Sequence, residues 1–387
     1  MTGGGIGIDV SQFRPKGRTL SKTGGVSSGP IPFLYATNEI GRNVMQGGSR
    51  RSAMYGSMNW RHEDATEFLT MKNWSEEVKA RKAEDFNAHA PLDMMNVSLN
   101  YDDAWLQDMS NDVFMTNVKQ AMMTGEPGFS FNFGAKQNET LRNACCEIVS
   151  EDDSDVCNLG SVNLANIDSI GEFREVVGLA SKFLVCGLIR AQLPYEKVAE
   201  VRQKNSRIGL GLMGMHEWLL KRGYKYEMVD ELKLWMKEYE RESKRSADVH
   251  CDRLFLNRPK GYRAIAPTGT IGILAGTTTG VEPIYAVAYR RRYLTDGTRW
   301  KYQFVVDGTA NYLIERGVKP ADIESAVDLA EDVERRIKFQ YELQKYVDHA
   351  ISSTINLPEY GSDLNNDSHV EPFSKMLRKY GHGLRGL

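Results

Sequence analysis

Asn143-Ala144-Cys145-Cys146-Glu147, followed by Cys157-Asn158-Leu159-Gly160-Ser161-Val162-Asn163-Leu164, sets an amide, a thiol and a carboxylate at alternate positions with another thiol close behind. In an extended segment successive side chains point to opposite sides, so Asn143, Cys145 and Glu147 are predicted to share one face while Cys146 takes the other. That is an inventory for thiol-based radical or redox chemistry. The competing reading makes these cysteines small buried hydrophobes, as free cysteines usually are. None of Cys145, Cys146, Cys157, Cys186 and Cys251 forms a C-x-x-C pair, which argues against structural zinc and against a thioredoxin-type site. For Cys186 and Cys251 burial is the expectation.

Outward from this stretch, 387 residues are enough for two or three ordinary domains or one large α/β barrel. A composition of 41% hydrophobic and 26% charged residues is that of a globular protein. The formal charge of -2 argues against a general nucleic-acid coat, although local basic loops can still hold phosphates. No apolar run reaches membrane-spanning length and no basic-then-apolar leader opens the chain, so the expectation is a cytoplasmic protein with reduced thiols and neither a membrane nor a nucleic-acid partner.

The glycine-rich opening, Gly3-Gly4-Gly5-Ile6-Gly7-Ile8-Asp9-Val10 with Arg14-Pro15-Lys16-Gly17 behind it, reads as a short strand followed by exposed loops. In Gln46-Gly47-Gly48-Ser49-Arg50-Arg51-Ser52-Ala53, glycines beside two arginines suit close approach to an anion; a solvated turn is the alternative. Asn96–Asn100 is predicted as a strand and Gly125-Glu126-Pro127-Gly128 as a turn. From Pro194 the apolar spacing suggests helical segments around the glycines at 209, 211 and 214. Pro320 is predicted to open a long helix through Ile323, Val327, Ala330, Val333, Ile337 and Tyr341. Strand-like and helical stretches alternate without an obvious linker, which favours a single α/β unit over 1–387.

Two glycine motifs raise nucleotide binding. Gly209-Leu210-Gly211-Leu212-Met213-Gly214 fits the dinucleotide pattern of an NAD-dependent dehydrogenase, but its upstream residues are polar and helix-like where that fingerprint needs a buried strand. Arg263-Ala264-Ile265-Ala266 resembles a strand ending, and Pro267-Thr268-Gly269-Thr270-Ile271-Gly272 a turn into a helix whose backbone N–H groups face an anion; a simple tight turn is the alternative. No histidine pair has metal-binding spacing, so no metal site is expected. His62 and His349 read as structural or surface residues, and Asp102-Asp103 and Asp152-Asp153 as solvated loop charges.

Taken in order, Gly4–Ile8, Gln46-Gly47-Gly48 with Arg50-Arg51, Asn143-x-Cys145-x-Glu147, Cys157-Asn158-Leu159, Pro267–Ile271, Gly280-Val281-Glu282-Pro283 and Thr354-Ile355-Asn356-Leu357-Pro358 resemble the catalytic subunit of ribonucleotide reductase over nearly the whole chain. The resemblance implies a ten-stranded α/β barrel with a central finger loop, and replacement of the ribose 2′-hydroxyl by hydrogen. Cys145 would carry a thiyl radical, Glu147 would serve as base on the 3′-hydroxyl, Asn143 would bond the sugar and Cys157 would supply a reducing thiol. Thr268, Gly269, Thr270 and Ile271 would bind substrate phosphates. Asp9, Arg14, Lys16, Gly17, Gln46, Gly47, Gly48, Arg50 and Arg51 would bind an allosteric deoxynucleoside triphosphate with magnesium, usually across a homodimer interface, and a thiol reductant such as thioredoxin would regenerate the enzyme.

The family's first reducing cysteine lies on a strand upstream of the glycine-rich segment, where this chain begins, and the C-terminal cysteine pair is absent from His382–Leu387. The motif style is most similar to adenosylcobalamin-dependent members, with a radical from a separate ferritin-like metal subunit as the rival. A non-catalytic nucleotide-binding fragment of a split reductase is the alternative from another class.

Overall fold

The computed structural model describes residues 5–44, 52–85, 87–295 and 299–387, without the side chain of Leu294. Gln46, Gly47, Gly48, Arg50 and Arg51 therefore lie outside the described residues. The chain forms two compact units of interleaved segments: Met1–Cys145, Arg290–Phe304 and Leu357–His382 in the first, and Cys146–Tyr289, Val305–Asn356 and Gly383–Leu387 in the second.

The first unit is built on a parallel sheet in the order β1 (Gly5–Asp9), β2 (Ala53–Asn59), β3 (Met95–Tyr101) and β4 (Gly128–Phe131). Parallel neighbours need long crossovers, and helices α1 (Ile31–Asn43) and α2 (Asp112–Thr124) supply two of them. Asn111 caps α2 by accepting from Phe114 N at 2.9 Å, and Gly125 closes it in the left-handed region that glycine adopts at little cost. Tyr101, Trp105, Phe114 and Phe131, all fully buried, pack edge to face and offset. Each such side chain contributes about 1.5–3 kcal/mol by leaving water. The expected strand at 96–100 and the turn at 125–128 are both present.

In the second unit β5 (Asn158–Asn163) pairs in parallel with β6 (Ile208–Met213), and parallel bridges Leu210 to Arg263 and Ile265 to Ile351 continue the ladder. Around it lie α3 (Ile170–Arg190), α4 (Glu196–Asn205), α5 (Met215–Lys221), α6 (Asp230–Arg253), α7 (Gly269–Ala275) and α8 (Val333–Gln344). The apolar faces of α3, α5, α6 and α8 meet with the strands in one core containing Phe173, Leu184, Leu210, Trp218, Trp235, Tyr239 and Phe339.

Two expectations are corrected. Residues 208–213 are a buried strand, not helix: a Cβ on Gly211 would stand 2.6 Å from Ala264 O, so the glycines serve close strand packing. The G-x-G pair thus sits inside a strand, and only Gly214 reaches the strand-to-helix turn, which removes the context a dinucleotide fingerprint needs. The predicted helix from Pro320 is broken into Pro320–Asp322, Ala326–Leu329 and α8, because Ser325 forms a capping box with Asp328, and Asp332 accepts from Arg335 N, each starting a new helix. No helix among the described residues is long and apolar enough to cross a membrane.

Candidate functional site

Asn143–Cys146 form a turn between the two-residue strands Leu141–Arg142 and Val149–Ser150, with Cys146 at φ +67°. The expected two-sided alternation therefore fails, since a left-handed residue reverses the chain where an extended one would continue it. Cys145 is exposed on this turn, Cys146 is half-buried, and Glu147 is 1% exposed.

The chain before the turn is held by close packing in the first unit. A Cβ on Gly7 would overlap the Arg142 carbonyl oxygen, so only glycine there lets β1 lie against this segment, and one on Gly5 would stand a tight 3.2 Å from the Ala144 Cβ. The buried Arg142 donates to Ser130 Oγ at 2.9 Å and Asn132 Oδ1 at 3.1 Å, and Asn96 Nδ2 donates to Ala144 O at 2.9 Å. Thr140 Oγ1 donates to Asp9, whose other carboxylate oxygen accepts from Ser11 N.

The chain after the turn is held in the second unit. Glu147 O accepts from Ala350 N at 2.8 Å and Val149 N donates to His349 Nδ1 at 3.4 Å. His349 is thus structural, as is His62, whose Nε2 meets Phe13 O at 2.9 Å. Further along, Asp155 Oδ2 accepts from Ser150 Oγ at 2.7 Å, Asn205 Nδ2 at 2.8 Å and Arg207 Nε at 2.6 Å. Asp155 and Arg207 form a buried ion pair, their side chains 5% and 2% exposed. Asp152 accepts from Lys204 and Asn205 at 2.7 Å each, which holds its carboxyl at about 2, below the usual range. Asp153 pairs with Lys197, and Asp102 accepts from Trp60, Asn59 and Arg61, so these aspartates are bonded rather than merely solvated.

Cys157, half-buried, immediately precedes β5 and lies within the electrostatic reach of this network. Burial pushes its thiol far above the usual range; Asp155 and, more weakly, Glu147 push the same way, while Arg207 pulls it down. The structure therefore brings Glu147 and Cys157 within electrostatic reach of each other. It adds Asp155 and Arg207, which sequence reasoning passed over because their pairing spans 52 residues. Asp155 two places before Cys157 was the available signal. Cys251 is buried as expected; Cys186 instead is exposed, its Sγ 3.3 Å from His250 Nε2.

Thr268, buried and at φ +51°, begins α7 and accepts from Gly280 N at 2.7 Å through Oγ1, while Gly269, Thr270 and Ile271 are exposed. Glu282 accepts from Arg336 Nη2 at 2.8 Å and from Thr354 N at 2.9 Å, tying Gly280–Pro283 to Ser353–Thr354. In the first unit the Arg14–Gly17 loop is closed on itself: Gly17, at φ +80°, donates to Ser27 O at 2.8 Å and Arg14 Nη1 to Thr19 O at 3.2 Å. Lys16 N donates to Asp64 at 3.0 Å and its ammonium pairs with Glu67 at 3.1 Å. Asp9 is turned toward Ser11 and Thr140 rather than toward this loop.

The parallel α/β units thus define a class of protein that presents an exposed thiol on a turn, a buried carboxylate two residues on and a second thiol in that carboxylate's field. Comparison with known proteins narrows the class. The family described as ribonucleotide reductase, barrel domain, matches residues 1–124, 109–241 and 260–387, and the chain belongs to that family. A vitamin B12-dependent ribonucleoside-diphosphate reductase of Mycobacterium tuberculosis is 27% identical over 92% of this chain and 59% of its own length. One of Thermoplasma acidophilum is 25% identical over 92% of this chain and 54% of its own. The chain thus spans somewhat over half the length of these curated relatives. Among solved structures, a B12-dependent class II ribonucleotide reductase superimposes with TM-score 0.69 at 20% identity, over 98% of this chain and 58% of that one. The class Id ribonucleotide reductase α subunit of Actinobacillus ureae gives 0.72 at 15% identity, over 99% and 76%.

Proposed function

We propose that the chain carries the reduction chemistry of a ribonucleotide reductase, replacing the 2′-hydroxyl of a ribonucleoside di- or triphosphate by hydrogen. The observation that carries this reading is the exposed Cys145 two residues ahead of the buried Glu147, whose charge acts on Cys157. A carbon-bound hydrogen yields to a radical and not to a base, whereas a ribose hydroxyl exchanges protons readily, so the reaction needs both kinds of group. In this reading Cys145 takes the 3′-hydrogen as a thiyl radical, Glu147 accepts the 3′-hydroxyl proton and Asn143 bonds the sugar. The 2′-hydroxyl leaves as water while Cys157 and a second thiol give up two electrons and close to a disulfide. The environment that keeps Cys157 protonated suits a thiol that must hold its hydrogen until the hydroxyl departs.

Thr268, Gly269, Thr270 and Ile271 would take the phosphates at the exposed start of α7, and Asp9, Arg14, Lys16, Gly17, Gln46, Gly47, Gly48, Arg50 and Arg51 the deoxynucleotide effector with magnesium. Residues 1–387 would form one ten-stranded barrel domain with the Cys145 turn as its finger loop, working as a homodimer with a thioredoxin-type reductant. Adenosylcobalamin supplies a radical by homolysis when bound, and the exposed position of Cys145 fits a thiol that must be reached by a radical source outside the chain. The vitamin B12-dependent relatives favour it over a ferritin-like metal subunit. A second reading, a nucleotide-binding fragment without catalysis, is motivated by the partial coverage of those relatives. A reduction assay with ribonucleoside di- and triphosphates and a dithiol, run with and without adenosylcobalamin, tests the choice. Cofactor-dependent deoxynucleotide formation supports the first reading; nucleotide binding without reduction under every condition supports the second.

A further inference from the structure

The chemistry above uses Cys145 and gives its neighbour Cys146 no task. Of the five cysteines only these two are adjacent in the chain. Cys145 is exposed and Cys146 half-buried, on the turn that Cys146 reverses at φ +67°. The other three differ. Cys251 is closed into the core, burial pushes the Cys157 thiol far above the usual range, and Cys186 is exposed beside His250 with no cysteine next to it in sequence. An exposed thiol is the one that an oxidant in solution reaches, and a thiol one residue away is the nearest group that can trap the oxidised product.

Covalent geometry decides what the pair can form. In an extended segment the two Cβ atoms point to opposite faces, which keeps neighbouring sulfurs apart; the left-handed residue breaks that alternation here. Adjacent Cα atoms across a trans peptide are about 3.8 Å apart, below the roughly 4.4–6.8 Å of ordinary disulfides. A bond between such neighbours closes a small strained ring, and strained, exposed disulfides are the ones most readily reduced. We propose that Cys145 and Cys146 form a site of reversible oxidation, whose substrate is a hydroperoxide and whose product is a disulfide between the two residues. Cys145 Sγ takes the terminal peroxide oxygen; the O–O bond breaks, the remainder leaves as water or an alcohol, and Cys145 becomes a sulfenic acid. Cys146 Sγ then attacks Cys145 Sγ, the S–O bond breaks, and the hydroxyl leaves as water with the Cys146 proton. The two thiols have given up two electrons and the peroxide has taken them. A dithiol reductant reopens the ring by two exchanges. Because ring closure is intramolecular it outruns a second peroxide, and Cys145 stops short of the irreversible sulfinic stage. On the catalytic reading above, the closed ring also withholds the thiol that takes the 3′-hydrogen; the oxidation itself does not depend on that reading.

Peptide masses test the pair without reference to turnover. Cleavage after Arg142 and after Glu147 isolates Asn143–Glu147, which holds both cysteines and excludes Cys157. After hydrogen peroxide and then alkylation, this peptide should be two hydrogens lighter and unalkylated. Reduction with a dithiol before alkylation should restore both alkylation sites. Cys146→Ser and Cys146→Asn remove the trapping thiol, and asparagine tolerates the left-handed backbone, so circular dichroism should be unchanged. In both variants the same peroxide dose should yield at least about tenfold more Cys145 sulfinic acid than in the unaltered protein. Equal sulfinic acid in all three proteins overturns the proposal. So does a disulfide from Cys145 or Cys146 to Cys157, which cleavage after Glu147 leaves as two linked peptides. A ring that closes in a protein making no deoxynucleotide supports this inference while counting against the catalytic reading.

Discussion

The two arms of chain that flank the Cys145 turn are held by opposite physics. The arm before it, Thr140–Ala144, is fixed by glycines that admit close backbone approach and by hydrogen bonds to neutral groups around the buried Arg142. The arm after it, Glu147–Cys157, is fixed largely by aspartates set against Arg207, Lys204, Lys197 and Lys260. Packing is insensitive to salt and pH, whereas exposed charges are screened and titrate. One arm thus holds the thiol turn steadily while the other sets the electrostatic surroundings of Glu147 and Cys157.

Gly7→Ala should break the first arm outright. The overlap with the Arg142 carbonyl cannot be relieved without moving backbone, and a loss of about 4 kcal/mol or more is expected in a denaturant melt. Next in size is Arg207→Met, which leaves Asp155 buried without its cation and should cost about 3–5 kcal/mol. Arg207→Lys should recover part of this, because the charge returns but the guanidinium geometry does not. Alkylation of Cys157 should slow further in Arg207→Met, since a charge that lowers its pKa is gone, and should quicken in Asp155→Asn. Equal rates in all three proteins would show that the ion pair does not act on the thiol.

The smallest effect belongs to acid. The Asp152 carboxyl is lowered to about 2 from an ordinary 3.8, so its contribution is present above pH 3.8 and is lost as the pH falls toward 2. Because its partners Lys204 and Lys260 are exposed, solvent screens the pairs and the change is modest. Amide exchange between pH 4 and 2.5, corrected for intrinsic rates, should therefore speed up in 150–157 and not in 140–144. Acceleration in both arms alike would erase the distinction between them.

Much of this was legible in the residues, and the failures share a cause. The strand at 96–100, the helix that follows 263–266, and the alternation of strands and helices all rest on local patterns, which the structure keeps, while 263–266 itself forms only isolated parallel bridges at Arg263 and Ile265. The Cys145 turn was misread as extended because nothing local announces a left-handed cysteine at 146. Strand 208–213 was misread because its glycines answer to Ala264 and Leu159, which are distant in sequence. The helix beyond Pro320 was over-extended because its apolar stripe runs on through Ser325 and Asp332, whose side chains cap new helices instead. In the site, Cys145, Glu147 and Cys157 stood out by type and spacing. Asp155 and Arg207 did not, since a charge in sequence reads as solvated until its partner is seen beside it.

The central claim is that Cys145 removes the 3′-hydrogen of a bound ribonucleotide. It is tested most directly by supplying 3′-deuterated ribonucleotide, with adenosylcobalamin and a dithiol, to the protein and to Cys145→Ser, while measuring nucleotide binding to both in parallel. The account predicts a primary isotope effect on deoxynucleotide formation in the unaltered protein, and no product with nucleotide binding intact in Cys145→Ser. Product formation by Cys145→Ser at a comparable rate would contradict it.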